Sequence, residues 1–368
     1  MITGRYFEGD HPELERRLEQ HLARMRQAFD AQGWRGALVL GGGYGRGEGG
    51  VMLEHDAMGF SNDLDYFLFD AAPGTPGLEA WCRQMERSES TALGIDVEIK
   101  CLRPDALGDP SRSMMFADLV AGHVVAAGDA GFLARWRESL DFSRIAPEEA
   151  TRLLWNRGSG LYFARCQLGG DAAAMKFVIR NHAKAKLALG DAWLCLHGQY
   201  TSKCRARAAR LAAAELPAEF AGLRGWHAQG VAFKFQPFAG GLTWPHLEAE
   251  SQQLIAAWGA LYLTVEQHRL QRRVANFQEY LALPRLLHDS SFTKNLALAM
   301  RDLLRRGGFI RPLGDYPRAG LMRALPCLLG LTPGGVAQAR CYLPPPTGDQ
   351  TLPQTWQPVY NKWWAAYA

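Results

Sequence analysis

Ala37-Leu38-Val39-Leu40 runs into Gly41-Gly42-Gly43-Tyr44-Gly45-Arg46-Gly47-Glu48-Gly49-Gly50, and Val51 to Asn62 separates this run from Asp63-Leu64-Asp65-Tyr66. The reading of this stretch decides the fold. A short apolar run that stops at glycines reads as a buried strand ending in a tight turn. Val51 to Asn62 has no clear period and reads as irregular, and Leu64 to Phe69 reads as a second strand. Upstream, Leu14, Leu18, Leu22, Met25 and Phe29 recur at helical spacing, which predicts a helix from Asp10 to Gln32. Asp10 is its expected cap, with Glu13 at capping-box spacing, Pro12 in the first turn and Gly33 at the end. Downstream, Leu78 to Arg87 reads as a helix and Ile95 to Leu102 as a third strand. The order α-β-turn-β-α-β predicts a compact α/β (α+β) domain with a mixed sheet.

Beyond Pro147 the pattern turns helical. Arg152–Gln167, Ala172–Leu196 and Thr293–Arg305 read as helices, and Leu254, Ile255, Trp258, Leu261, Tyr262 and Val265 form an amphipathic stripe. The expected organisation is therefore a mixed-sheet domain at 1–145, an all-helical domain at 146–343, and a tail at 344–368. That tail opens with Pro344-Pro345-Pro346 and carries Trp356, Trp363 and Trp364. It reads as a linker with an aromatic plug, its tryptophans packing on their own domain.

A chain of 368 residues with 48% apolar and 21% charged side chains is ordinary globular material, and general disorder is excluded. It has no run of about 18 uncharged apolar residues, so no membrane span is expected. Met1-Ile2-Thr3-Gly4-Arg5 leads into a charged helix, and the seven cysteines form no C-x-x-C pair. A cytoplasmic protein with reduced thiols and no zinc site is the expectation. The net charge of +4 conceals an asymmetry: residues 1–150 carry 15 Lys and Arg against 25 Asp and Glu, whereas residues 151–368 carry 26 against 12. Such a division suits either two mutually attracting domains or a cation site beside a surface for polyanions.

Asp63 and Asp65 flank Leu64 at the start of the second strand, so their carboxylates emerge on one face. On the third strand Asp96, Glu98 and Lys100 alternate with Ile95, Val97 and Ile99. Should the two strands run parallel, a third acid reaches the same patch, and carboxylate oxygens in that number suit Mg²⁺. Glu98 is preferred to Asp96 as the third acid because it then stands level with Asp65. Gly42 and Gly43 offer a bare-backbone turn whose N–H groups can hold phosphate oxygens. Acids for a metal beside a phosphate nest are the equipment for phosphoryl or nucleotidyl transfer. A Walker A loop is excluded, because no Gly-Lys-Ser/Thr follows the glycines. Gly45-x-Gly47-x-x-Gly50 with Asp70 beyond it matches a Rossmann fingerprint, but Val51 to Asn62 is too short for the helix that this fingerprint needs. An NAD(P)-dependent oxidoreductase is accordingly the weakest reading.

Gly42-Gly43-Tyr44-Gly45-Arg46-Gly47-Glu48 followed by Asn62-Asp63-Leu64-Asp65-Tyr66 resembles the signature of the DNA polymerase β-like nucleotidyltransferase superfamily, the GGYGRGE wording being most like the PII uridylyltransferase type. Two departures stand out: Gly43 replaces the usual serine, and the gap from Glu48 to Asp63 is long, implying an inserted loop. The resemblance implies a transferase that moves a nucleoside monophosphate from an NTP (ATP or UTP) to an acceptor hydroxyl, releasing pyrophosphate. Mg²⁺ or Mn²⁺ would be held by Asp63, Asp65 and Glu98, with Asp96 as the alternative acid. A non-catalytic nucleotide-binding protein on the same fold is the runner-up. Arg46 either neutralises phosphate or pairs with Glu48, and Tyr44 either stacks on a base or packs the turn. The resemblance also implies a basic side chain from the helical domain on the phosphates, for which Lys176 and Lys184, spaced with Arg180 along one helix, are the candidates. The acceptor stays open between small molecule, sugar, protein and RNA. No membrane partner is expected, and nucleic acid is not indicated because the aromatic residues near the basic stripe read as core.

Overall fold

The computed structural model describes residues 5–54, 57–70, 76–238, 240–287 and 291–367. Met1 to Gly4 and the side chain of Asp70 lie outside the described residues. The elements are, in order, α1 (Pro12–Asp30), β1 (Gly36–Leu40), the one-turn helix α2 (Gly42–Gly45), β2 (Val51–Glu54), β3 (Ala57–Phe60), β4 (Leu64–Asp70), α3 (Leu78–Leu93), β5 (Val97–Leu102), α4 (Met114–Ala121), β6 (Val124–Gly128) and α5 (Ala134–Arg137). Helices follow: α6 (Pro147–Cys166), α7 (Ala172–Leu196), α8 (Cys204–Ala213), α9 (Leu223–Phe235), α10 (Trp244–Leu270), α11 (Phe277–Leu281), α12 (Phe292–Arg306), α13 (Pro317–Leu328) and α14 (Pro353–Tyr367). Among the described residues the chain divides into two compact units. The first comprises Met1–Glu149, His197–Glu215 and Ala228–Phe238, and the second Ala150–Leu196, Leu216–His227 and Ala239–Ala368.

The first unit is a mixed α/β layer structure around a four-stranded sheet of order β5-β4-β1-β6. β1 pairs antiparallel with β4, from Gly36 opposite Asp70 to Leu40 opposite Tyr66, and antiparallel with β6. β4 and β5 are parallel across α3. Because side chains alternate along a strand, each strand feeds two cores. Leu38, Leu40, Leu64, Tyr66, Leu68, Val97 and Ile99 pack under the apolar faces of α1 and α3. Ala37, Val39, Phe67 and Phe69 face the other way, onto Leu107, Leu119 and Leu133. The antiparallel β1–β4 pair also removes the parallel β-α-β unit that a Rossmann fingerprint requires.

Two local expectations change. α1 starts two residues into the expected segment, with Pro12 in its first turn and His11, not Asp10, at the cap position; no side-chain cap forms, and Glu15 accepts the Tyr6 N–H at 3.0 Å. The stretch after the glycines is a hairpin: β2 and β3 pair antiparallel, Val51 opposite Phe60. Phe60 is buried beside Phe7 and Tyr44, so one anchored aromatic fixes a ribbon whose alternation is too weak to read.

In the second unit every regular element among the described residues is a helix, joined by loops. α7 packs on α10, whose Trp258, Leu261, Tyr262 and Val265 are fully buried. The chain from Pro353 is helical and packs on α13 with Trp356 and Trp363 buried. The apolar C-terminal side chains thus serve their own unit, and the proline run precedes a helix. No helix among the described residues is long and apolar enough to cross a membrane.

Candidate functional site

The site grows out of the sheet register. β1 ends beside the start of β4, and the Gly41 N–H donates to the Asp65 carbonyl at 2.8 Å. The chain then turns at Gly42 with φ +61°, and a Cβ there would lie 2.7 Å from Asp65 Oδ2. Only glycine lets the carboxylate lie against the turn. The first-turn amides of the Gly42–Gly45 helix have no intrahelical acceptors, and those of Gly42 and Gly43 form no backbone bond among the described residues.

Parallel pairing sets Asp65 directly beside Glu98, and Phe67 beside Lys100. Asp65, Glu98 and Lys100 therefore share a face. The Lys100 ammonium lies 3.7 Å from Asp65 Oδ1 and 3.7 Å from Glu98 Oε2. Burial raises the Asp65 carboxyl above its ordinary value; Lys100 opposes this and the nearby Asp63 adds to it. Asp63 is half-buried at the step into β4. Asp96 is exposed just before β5, and its carbonyl accepts the Leu64 N–H at 2.9 Å.

The donors are hard carboxylate oxygens on neighbouring strands, one pressed into a glycine cradle, which is the right chemistry for Mg²⁺. They do not close on one point: among the described residues no three His, Cys, Asp or Glu side chains form a group that could hold a metal ion. Lys100 supplies a positive charge beside Asp65 and Glu98 and so offsets their mutual repulsion.

Tyr44 and Arg46 face inward. Tyr44 is fully buried, edge-on to Phe7 and Phe60, with its hydroxyl donating to the Gly50 carbonyl at 3.3 Å and accepting the Ser61 N–H at 3.2 Å. Burial pushes its phenol up to about 12. Arg46 spends its charge on Asp118 at 3.2 Å and Glu48 at 3.5 Å. Both side chains hold the turn rather than project from it.

Glu48 organises the rest. Its Oε1 accepts the Cys204 N–H at 2.8 Å and its Oε2 accepts from Lys234 at 3.1 Å. Burial alone would raise this carboxyl; Lys234, Arg46 and the Cys204 amide hold it below its ordinary value. Lys203, at the start of α8, donates to the Arg46 carbonyl and is exposed. Lys203 is thus the basic side chain brought to the glycine turn within this unit. The neighbouring Arg207 and Arg210 are spent on carbonyls of Gln199, Tyr200, Thr201 and Ser202. Lys176 and Lys184 lie on α7, in the second unit. The sequence places Lys203 in a basic cluster, but the only pointer to its position is the Glu48 carboxylate, whose partners are far along the chain. No family model, curated protein or solved structure matches the chain.

Proposed function

We propose that the first unit is a Mg²⁺-dependent nucleotidyltransferase of the polymerase β-like kind, transferring a nucleoside monophosphate from ATP or UTP to an acceptor hydroxyl. The observation that carries this reading is the register that sets Asp65 beside Glu98 while its carboxylate lies in the space a Gly42 side chain would fill. Asp63, Asp65 and Glu98 would hold the metal, with Asp96 as the alternative third acid. The bound cation would neutralise polyphosphate charge and favour ionisation of the acceptor hydroxyl.

The chain's own groups supply the remainder. The Gly42 and Gly43 N–H groups would donate to phosphate oxygens at the turn, unhindered by side chains. Arg46 and Glu48, by tying Asp118, Cys204 and Lys234 to the turn, fix its shape. Lys203 would add an ammonium at the rim, the role expected of Lys176 or Lys184. Lys100, 3.7 Å from Asp65 and from Glu98, would offset their mutual repulsion and oppose the effect of burial on the Asp65 carboxyl.

Lys100 also favours a second reading, a nucleotide-binding protein without transfer. Acids offset by a lysine need no metal to be tolerated. Incubating the full chain with Mg²⁺, each α-labelled NTP and a cell extract as acceptor source separates the two. Label transfer lost in Asp63→Ala and Asp65→Ala supports catalysis, and Glu98→Gln against Asp96→Asn identifies the third acid. Nucleotide binding with neither transfer nor pyrophosphate release would replace the first reading with the second.

A further inference from the structure

On the opposite face of β5 from the acids, Cys101 meets Cys82 of α3. The two Sγ atoms are 3.2 Å apart. Cys82 is buried in the core with Val97 and Ile99, and Cys101 is exposed near the end of the strand. α3 and β5 form a helix–strand hairpin turning at Gly94, and this contact bridges its open end. β5 is an edge strand of the sheet, so nothing pairs with it on its outer side within the sheet.

We propose that Cys82 and Cys101 are a redox-active thiol pair, a modification site at which a low-molecular-weight disulfide is reduced while α3 is stapled to β5. A disulfide needs its sulfurs ~2.05 Å apart, so side-chain rotation closing roughly 1 Å completes it. The exposures assign the order of events. The Cys101 thiolate attacks one sulfur of the small disulfide; the new S–S bond forms as the old one breaks, and one small thiol leaves. Cys82 then loses its proton and attacks Sγ of Cys101, expelling the second small thiol. Two protein thiols have given up two electrons and two protons, and one small disulfide has become two thiols. The hydrogen bond that the Cys82 S–H donates to Cys101, with burial, raises the Cys82 thiol, which leaves the first attack to Cys101.

The consequence falls on the strand that carries Glu98 and Lys100. Closing the loop from Cys82 to Cys101 removes freedom from the unfolded chain and clamps the sheet edge, independently of whether the acids perform nucleotidyl transfer.

The test is to equilibrate the full chain with oxidised and reduced glutathione over a range of ratios, alkylate the remaining thiols, and map peptides by mass spectrometry alongside thermal unfolding. The expected result is a single Cys82–Cys101 crosslink two hydrogens lighter than the thiol form, with Tm raised by roughly 5 °C and restored by dithiothreitol. Cys82→Ser should instead accumulate one glutathione on Cys101. Cys101→Ser, an exposed change that leaves the core intact, should abolish both crosslink and Tm rise, whereas Cys341→Ser should retain them. Recovery of Cys82 and Cys101 as separately alkylated thiols at every ratio, or a Tm rise that survives Cys101→Ser, would overturn the proposal.

Discussion

Gly42 and Asp65 show how little room a single position leaves. The backbone at Gly42 is left-handed, and the space beside it belongs to a carboxylate oxygen 2.7 Å from where a side chain would begin. Gly42→Ala should therefore cost about 1–2 kcal/mol from the backbone conformation alone, and should push Asp65 out of register with Glu98. Thermal unfolding should show the loss, and titration with a non-hydrolysable NTP should show at least tenfold weaker binding. A variant with unchanged affinity would dissociate the turn from the acids. Gly50 is constrained for a different reason: a Cβ there would lie 2.4 Å from the Lys234 carbonyl, so the end of the glycine run is shaped by chain that follows much later. The sequence made Asp65 and Glu98 legible as acids on strands, with Asp63 just before the first, because period-two alternation is written in the residues. Whether Tyr44 stacks or packs was not legible, because a tyrosine after glycines has the same spelling in both roles.

At the scale of elements, α1, α3 and β4 are joined by one buried polar chain. His21 Nδ1 lies 2.7 Å from Glu89 Oε2, and His21 Nε2 lies 2.8 Å from the Tyr66 hydroxyl. A neutral ring donating to Glu89 and accepting from Tyr66 satisfies all three groups. Burial lowers His21 below its ordinary 6.5, against the pull of Glu89. The unfolded chain then takes up a proton below 6.5 that the folded chain refuses, so stability falls as pH drops through that value. Glu89 works in the same direction at lower pH: burial would raise it, but Arg24 and His21 hold it below 4.5, so its contribution is complete above 4.5 and lost beneath. Thermal unfolding between about pH 7 and 5 should show Tm declining, and His21→Gln should flatten that decline. An equal slope in the variant would place the titration elsewhere. The helix stripe that buries His21 was readable from spacing, since Leu14, Leu18, Leu22 and Met25 share its face. The β2–β3 hairpin was not, because its pairing depends on Phe60 finding Phe7 and Tyr44.

At the scale of the molecule, Glu48 joins the glycine turn to two segments distant in sequence, through Cys204 and Lys234. These bonds belong to a first unit that takes up His197–Glu215 and Ala228–Phe238 in addition to its N-terminal part. Glu48 is 4% exposed, so Glu48→Gln would strand the charge of Lys234 and leave Arg46 to Asp118. A loss of about 3 kcal/mol is expected. Protease nicking within 197–238 should become faster in parallel with the fall in Tm, while Glu98→Gln, an exposed change, should leave both untouched. The sequence by itself determined the local features: which runs are helix or strand, which acids share a strand face, and where the backbone is bare, because periodicity and glycine act over a few residues. Only the tertiary structure decided that β4 and β5 run parallel in the register that sets Asp65 beside Glu98, that Lys100 lies between them, and that Cys82 meets Cys101. Those outcomes depend on strand order and on contacts between distant residues, and chain spacing does not encode which distant partner wins.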